Sequence, residues 1–161
     1  MAGKQLNKTL TALAGEFLVA AQLCMRGFVA SLTLKNYPGV DIFVLNPTNG
    51  KQTSVQVKTI LVGSRRPVVT GPYSLGAYFV PEKVDDLIDT PFVFVTIDPD
   101  RNVQYFVVPC DQVAAISARE RDEYFEWAKS AGRTVNPVQP RMISLTALEP
   151  FRDCWGCLRL N

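Results

Sequence analysis

The sequence contains no histidine, and this absence excludes several common catalytic designs. Ser-His-Asp and Cys-His nucleophiles, histidine-ligated zinc and histidine-based nucleases all need an imidazole. Any acid–base or metal chemistry must therefore use carboxylates, lysine and amides. A strong charge of one sign is also lacking, because 17 Lys and Arg residues balance 15 Asp and Glu residues to leave a net charge of +2. Composition alone therefore does not indicate a nucleic-acid-binding protein.

The chain is also poor in cysteine and in long hydrophobic runs. Its four cysteines in 161 residues are too few for the disulfide framework of a small secreted domain. The apolar run near the N-terminus contains Glu16, and a secretory signal sequence would not normally hold a carboxylate. No stretch is long and apolar enough to span a membrane. We therefore expect a cytoplasmic protein in which residues 1–161 form one domain with a substantial core.

Two of the cysteines form a Cys-x-x-Cys motif, at Cys154 and Cys157. Such a motif can be redox active or half of a zinc site. A zinc site would need two further ligands, whereas histidine is absent and Cys24 and Cys110 each stand alone. The favoured interpretation is therefore a pair of small, buried apolar residues. The large aromatic residues of the C-terminal third could stack on bases, but core packing is the better interpretation. They are Tyr124, Phe125, Trp127, Phe151 and Trp155.

The N-terminal segment predicts one long amphipathic helix from Asn7 to Arg26, with Gly27 as its C-terminal stop. Apolar side chains recur at three- and four-residue spacing and define the expected buried stripe. The residues of this stripe are Leu6, Leu10, Leu13, Phe17, Ala21 and Cys24. Glu16 lies roughly 80° from the centre of the stripe at 100° per residue. This angle puts Glu16 on the flank of the helix, where a helix meets a sheet.

The segment from Gly39 to Thr59 predicts an antiparallel hairpin around which the chain is organised. An apolar run that begins at Asp41 leads into the turn-forming residues 46–50, and an alternating strand follows. In this second strand the valines face one way and the polar residues Gln56 and Lys58 face the other. A lysine among apolar residues needs a partner, and hairpin geometry makes Asp41 the nearest candidate.

The remaining segments predict a mixed α/β chain. The further expected elements are a strand Phe28 to Leu34, a loop Val62 to Tyr73, a strand Ala77 to Val80, a helix Pro81 to Ile88, paired strands Phe92 to Ile97 and Val103 to Val108, helices Asp111 to Ile116 and Ser117 to Ala131, a loop Gly132 to Gln139, a strand Met142 to Leu145 and a helix Pro150 to Leu158. Ser117 and Glu120 would open their helix as a capping box. This order predicts an α/β or α+β fold with a mixed central sheet flanked by helices.

The polar residues of the first helix and of the hairpin are predicted to form a metal site. The helix that carries Glu16 leads directly into these strands, so its flank lies over the strand ends. The carboxylates of Glu16 and Asp41 with the amide oxygen of Gln56 would make a hard oxygen site for Mg²⁺ or Mn²⁺. The backbone carbonyl of Val57 is a further candidate ligand. Lys58 would orient or help to deprotonate a water, or neutralise phosphate charge.

A helical Glu, then Gly-Val-Asp, a hairpin and Gln-Val-Lys-Thr together resemble the PD-(D/E)XK nuclease superfamily, in the style of archaeal Holliday-junction resolvases and Mrr-like restriction endonucleases. The resemblance covers about the first 60 residues. It implies a restriction-endonuclease-like fold and metal-dependent endonuclease activity on duplex or branched DNA, often as a homodimer. It also implies that Asp41 binds the metal, that Gln56 stands at the (D/E) position, that Lys58 is the catalytic lysine and that Glu16 is the helical acid.

The sequence departs from the family pattern at two positions. Val40 stands where the proline would precede Asp41, and Gln56 replaces the usual acid, which removes one negative charge from the site. Arg65 and Arg66 concentrate positive charge nearby. Together with Tyr73 these arginines could contact the DNA backbone, and a solvated surface loop is an equal alternative for them.

Two other interpretations are open at this stage. In the first, the nuclease fold is retained without catalysis and the chain is a DNA- or protein-binding module, which the neutral Gln56 favours. In the second, Asp41 and Lys58 form a structural ion pair in an unrelated α+β domain. Metal affinity separates the nuclease from the binding module, and the surroundings of the two charges test the ion pair.

Overall fold

The computed structural model describes residues 8–34, 39–62, 90–134 and 143–161. Its strands and helices, numbered in chain order, are α1 (Lys8–Met25), β1 (Val29–Leu32), β2 (Ile42–Leu45), β3 (Gln52–Leu61), β4 (Phe92–Ile97), β5 (Val103–Val108), α2 (Cys110–Ser130) and α3 (Leu145–Leu148). Two 3₁₀ turns, Glu149–Phe151 and Trp155–Leu158, follow α3. None of the helices in the described ranges is long and apolar enough to cross a membrane.

The strands form one mixed sheet in the order β1-β2-β3-β4-β5. The β1–β2, β2–β3 and β4–β5 pairs are antiparallel, whereas β3 and β4 are parallel. The hairpin turn at 46–50 is closed by the N–H of Asn46 on Lys51 O, at 2.8 Å, and by the N–H of Gly50 on Asn46 O, at 2.9 Å. Within the turn Asn46 Oδ1 accepts the N–H of Thr48 at 2.9 Å, as its Asn-rich sequence predicts. The predicted mixed sheet with flanking helices is confirmed.

Strand β3 changes neighbours halfway along its length. Its first four residues, 52–55, pair with β2, and its last six, 56–61, pair with β4. The second half of β3 therefore has one edge that β2 does not cover, and the first half extends past the beginning of β4. Along a strand, successive residues point their backbone groups to opposite sides, so every second residue of the second half directs its N–H and C=O groups toward the uncovered edge.

Each face of the sheet carries a hydrophobic cluster. One contains Val19 and Leu23 of α1 together with Val55, Val93 and the C-terminal Trp155. The other joins alternate residues of β4 and β5 to α2, α3 and Ile143. All six residues of β4 are buried, because this strand has neighbours on both sides and a helical layer on both faces. The core is thus densest around β4 and thins toward the β1 edge, where Val29 is 51% exposed.

The buried face of α1 differs from the predicted stripe. The helix buries Thr11, Gly15, Val19 and Leu23, a strict four-residue repeat. The predicted positions Leu10 and Phe17 are 49% and 56% exposed, and Ala21 and Cys24 are exposed as well. The expected stripe is therefore wrong at these four positions, whereas Leu13 is half-buried and Leu6 lies outside the described residues. Most of this helix is apolar, so periodicity alone does not select a face. The predicted helix itself is confirmed, and it ends at Gly27 (φ +86°) with the N–H of Phe28 on Leu23 O.

The close approach of α1 to β3 selects the buried face. A Cβ atom built on Gly15 would lie 1.7 Å from Thr59 Oγ1 and 2.8 Å from Thr59 Cβ. Rotating the threonine side chain cannot relieve the second contact, because Cβ is fixed by the backbone. Only glycine therefore permits this helix–sheet distance. The predicted stripe rested on apolar side chains alone and did not include the glycine.

Several predicted elements in the C-terminal third are corrected. One continuous helix, α2, replaces the two predicted helices, and Glu120 does not form the expected capping box with Ser117. Instead the Glu120 carboxylate accepts the N–H and the hydroxyl of Ser144, and Ser144 caps α3. The predicted strand from Met142 to Leu145 is wrong at its C-terminal end, where α3 begins. The cap itself is a local bond to the N–H of Ala147, whereas the contact with Glu120 is tertiary, so no local pattern indicated it.

The predicted terminal helix from Pro150 to Leu158 is also wrong, because the chain forms two separate 3₁₀ turns there. Asp153, with φ +51°, interrupts them, and its N–H donates to Tyr105 O at 2.9 Å. Leu34, expected on the buried face of β1, lies beyond the strand and is 92% exposed. The first difference arises because the bond of Asp153 to β5 replaces a local helical repeat.

The aromatic residues divide between the core and the surface. Trp155 is buried and packs at 5.7 Å against the ring of Tyr105, as core packing predicts. Tyr124 and Trp127 are 41% and 49% exposed on α2, which corrects the expectation that they pack in the core. Arg133 lies 4.8 Å above the Trp127 ring, so a cation–π contact takes the place of core packing there.

The predicted loop and elements between Val62 and Ile88 fall almost entirely outside the described residues, as does most of the loop from Gly132 to Gln139. The predicted DNA contacts Arg65, Arg66 and Tyr73 lie in the first of these ranges.

Candidate active site

The β2–β3 hairpin places Asp41 at the point where β3 loses its β2 neighbour. The N–H of Asp41 donates to Val55 O at 2.9 Å, although Val55 is registered with Ile42. Two successive residues of one strand thus oppose one residue of the other, as in a β-bulge. Bulges redirect side chains, and here the side chain of Asp41 reaches the uncovered edge of β3.

Thr33 holds the backbone on the other side of Asp41. Its hydroxyl donates to Val40 O at 2.7 Å, and its N–H donates to Asp41 O at 2.9 Å. Asp41 therefore donates its N–H toward β3 and accepts at its carbonyl from the β1 side. Thr33 was not singled out from the sequence, because a threonine just past a short strand carries no distinctive signal. Its role depends on the register between β1 and β2.

The Asp41 carboxylate takes the place of a β2 backbone acceptor beside Val57, where the pairing between β2 and β3 has ended. Its Oδ2 atom accepts the N–H of Val57 at 2.6 Å. The N–H of Gln56 donates to Pro91 O on the β4 side at 3.0 Å, so the backbone groups of Val57 point to the opposite, β2 side. The Val57 carbonyl therefore points toward the same uncovered edge as the carboxylate. The predicted residues Asp41 and Val57 are thus in direct contact.

Gln56, the residue before Val57 in β3, carries an unusual oxygen. Its Oε1 atom is buried and has no hydrogen-bond donor within the described parts of the chain. An unsatisfied buried carbonyl oxygen costs about 1–3 kcal/mol, so such atoms call for an explanation. An amide oxygen is also one of the ligands that hard cations accept. The donor set of carboxylate, amide oxygen and backbone carbonyl therefore fits a Mg²⁺ or Mn²⁺ ion.

Lys58 follows on the same face of β3 as Gln56, since alternate residues share a face. Its side chain is half-buried, and the predicted ion pair with Asp41 is not formed. Within the described ranges the ion pairs are Arg121–Asp122 and Arg152–Glu149, both remote in sequence from the hairpin. The interpretation of Asp41 and Lys58 as a structural ion pair is therefore wrong. We call Asp41, Gln56, Val57 and Lys58 the β3 site.

The packing of α1 on β3 positions Glu16 on the side of that strand where Val55 and Val57 lie. Thr59 shares this face, whereas Gln56 and Lys58 project from the other one. Gly15 lies against Thr59, the residue after Lys58, and Glu16 is half-buried in the next position of the helix. This agrees with the flank position predicted from helical geometry. Thr59 was not singled out from the sequence, yet its hydroxyl is a second buried oxygen of β3 that has no hydrogen-bond partner in the described structure. The role of Glu16 as a metal ligand stays a prediction.

No family model matches the chain, and no curated protein matches it. Among solved structures, the chain is similar to Hjc, a Holliday junction resolvase from the archaeal hyperthermophile Archaeoglobus fulgidus. The two chains share 13% sequence identity with a TM-score of 0.43, over 87% of this chain and 93% of that chain.

Proposed function

We propose that the protein is a Mg²⁺- or Mn²⁺-dependent endonuclease that hydrolyses phosphodiester bonds in duplex or branched DNA. The observation that carries the proposal is the β3 site, where one hairpin holds a carboxylate fixed on a backbone N–H, a buried amide oxygen with no partner in the described residues, and a lysine two residues further on. Asp41, Gln56 and the Val57 carbonyl would hold the ion, with Glu16 as a further ligand. A bound divalent ion would lower the pKa of a water and neutralise phosphate charge.

Different groups of the chain would hold the ion, orient the attacking water and contact the DNA. The hydrogen bond from the Val57 N–H holds one oxygen of Asp41 and leaves the other for a ligand. The Lys58 ammonium would orient the attacking water or offset the charge that develops on the phosphate. Arg65, Arg66 and Tyr73 would contact the DNA backbone in this proposal. Two copies of the chain would present two such sites to two strands.

The test compares cleavage of supercoiled plasmid and of branched DNA by the wild-type protein and by Asp41→Asn and Lys58→Ala. Asparagine can still accept the Val57 N–H, so Asp41→Asn removes the charge while keeping the hydrogen bond. We expect both variants to lose activity by about 100-fold or more. Asp100→Asn and Lys51→Ala, on exposed turns, are matched controls and should cut as the wild type does. Wild-type rates in Asp41→Asn and Lys58→Ala would contradict the proposal.

The neutral amide at position 56 favours a second candidate, a nuclease-like binding module without catalysis. An amide oxygen binds a divalent ion more weakly than a carboxylate does. Titration calorimetry with Mn²⁺ separates the two candidates, because the endonuclease needs the ion and the module does not. If the wild type binds Mn²⁺, Gln56→Glu should tighten binding by about tenfold, or about 1.4 kcal/mol. No binding by either protein would favour the module.

A further inference from the structure

The Cys-x-x-Cys motif forms a disulfide, which the sequence interpretation of two small buried residues did not predict. Cys154 and Cys157 are joined, with their Cα atoms 5.6 Å apart. Both are half-buried beside the cluster that contains Trp155, so neither is fully enclosed. The interpretation of these cysteines as buried, unbonded residues is corrected, because the 3₁₀ turn between them brings the two sulfur atoms to the same side.

The turn that carries the disulfide is held by other interactions as well. The N–H of Cys157 donates to Cys154 O at 2.9 Å, and the N–H of Trp155 donates to Asp153 O at 2.8 Å. The Trp155 indole is anchored in the core, with the Arg26 guanidinium 4.4 Å from its ring centre. These contacts do not involve the sulfur atoms. After reduction they would keep the two thiols close together, which is the condition for the disulfide to form again.

One of the two sulfurs belongs to a residue that lines an open pocket. We call this the cysteine pocket; its lining includes Gln52, Thr53, Cys110, Cys157 and Arg159. It lies where the first half of β3 extends past the beginning of β4, and polar side chains form part of its wall. A small thiol can therefore approach Cys157 from this side. Cys110, whose sulfur is not in a disulfide, also lines the pocket but is itself buried.

We propose that Cys154 and Cys157 form a reversible dithiol–disulfide site that exchanges electrons with a dithiol through Cys157. One thiolate of the dithiol attacks Cys157 Sγ, and the bond to Cys154 breaks to leave the Cys154 thiolate. The second thiolate of the dithiol then attacks the dithiol sulfur that is bound to Cys157, and the Cys157 sulfur leaves as a thiolate. The dithiol becomes a cyclic disulfide, two electrons pass to the protein, and the two protons of the dithiol end on the cysteines or in solvent. This site is independent of the proposed endonuclease function.

The first experiment measures thiols in the native, full-length protein by alkylation and mass spectrometry across mixtures of reduced and oxidised dithiothreitol. Exposed Cys24 should be alkylated throughout and serves as the internal control. We expect Cys154 and Cys157 to become alkylated together in reducing mixtures and protected again after reoxidation. Alkylation of both before any reductant is added would overturn the proposal. Resistance to the dithiol until a denaturant unfolds the chain would also overturn it, because the bond would then be purely structural.

The second experiment tests which sulfur is attacked. Cys154→Ser leaves Cys157 as the remaining thiol of the pair, and Cys157→Ser leaves Cys154. Oxidised glutathione should form a mixed disulfide about tenfold faster with Cys157 than with Cys154, because access governs the rate of exchange. The Cys24→Ser background removes the exposed thiol from both measurements. Equal rates, or faster reaction at Cys154, would overturn the assignment of Cys157 as the attacked sulfur.

Discussion

The cysteine pocket lies at the beginning of β3 and the β3 site at its middle, and each is found where one edge of β3 lacks a neighbouring strand. At the cysteine pocket the first half of β3 extends past β4, and the C-terminal segment packs beside it. At the β3 site the second half of β3 extends past β2, and the Asp41 carboxylate accepts one backbone N–H, that of Val57, in place of a β2 partner.

The difference between the two regions lies in how their polar groups are satisfied. Near the cysteine pocket, Leu160 O accepts from the side-chain amides of both Asn46 and Asn49, at 2.9 and 3.0 Å. At the β3 site, Gln56 Oε1 is buried with no donor in the described residues. Two satisfied side-chain amides thus link the hairpin turn to the C-terminal segment, whereas the amide oxygen of the β3 site is of the unsatisfied kind that is retained at functional sites.

The largest effect on stability is expected from the helix contact beside the β3 site. Gly15→Ala should lower the free energy of unfolding by about 2 kcal/mol or more, since the new methyl group overlaps Thr59. The helix propensity of alanine, worth about 1 kcal/mol, offsets only part of this strain. Urea denaturation measures the change. Gly156→Ala is the matched control, because nothing lies within 4 Å of its added Cβ. Equal stability of the two variants would show that α1 does not approach β3 this closely.

A smaller loss is expected near the cysteine pocket. Asn46 is buried, and its side chain joins the hairpin turn to the C-terminal segment. Asn46→Ala should cost about 1.5 kcal/mol, because it removes a hydrogen bond at each end of the amide. Asn49→Ala is the control, since exposed Asn49 donates to the same carbonyl and should cost clearly less. Thermal unfolding of both variants gives the comparison. A larger loss in Asn49→Ala would contradict the assignment of Asn46 as the main link.

The smallest change has the opposite sign and tests the comparison most directly. Gln56→Leu should raise the free energy of unfolding by about 1 kcal/mol, because it removes a buried oxygen that has no partner among the described residues. The same variant should lose Mn²⁺ binding and cleavage if the proposed function is correct. Gln112→Leu, at an exposed position of α2, should change stability by less than about 0.5 kcal/mol. A destabilised Gln56→Leu would mean that the amide oxygen has a partner in the folded protein.

The hairpin was predictable because its determinants are local. Alternation of Val55 and Val57 with polar residues specifies which face of β3 is buried, and the turn residues at 46–50 specify where the chain reverses. The same register made the contact between Asp41 and β3 foreseeable, although not its actual form. An ion pair with Lys58 was expected, and the carboxylate instead accepts a backbone N–H, because a bulge redirects the side chain into the plane of the sheet.

Local sequence specifies the strand pattern of the hairpin, the helical character of α1 and the chemical repertoire of a chain without histidine. These follow from backbone preferences and side-chain chemistry that act within a few residues. The fold alone decides which face of α1 is buried and how Glu120 holds Ser144, the cap of α3. Each of these depends on contacts between segments distant in sequence, such as Gly15 against Thr59. No local periodicity encodes the distance between a helix and a sheet.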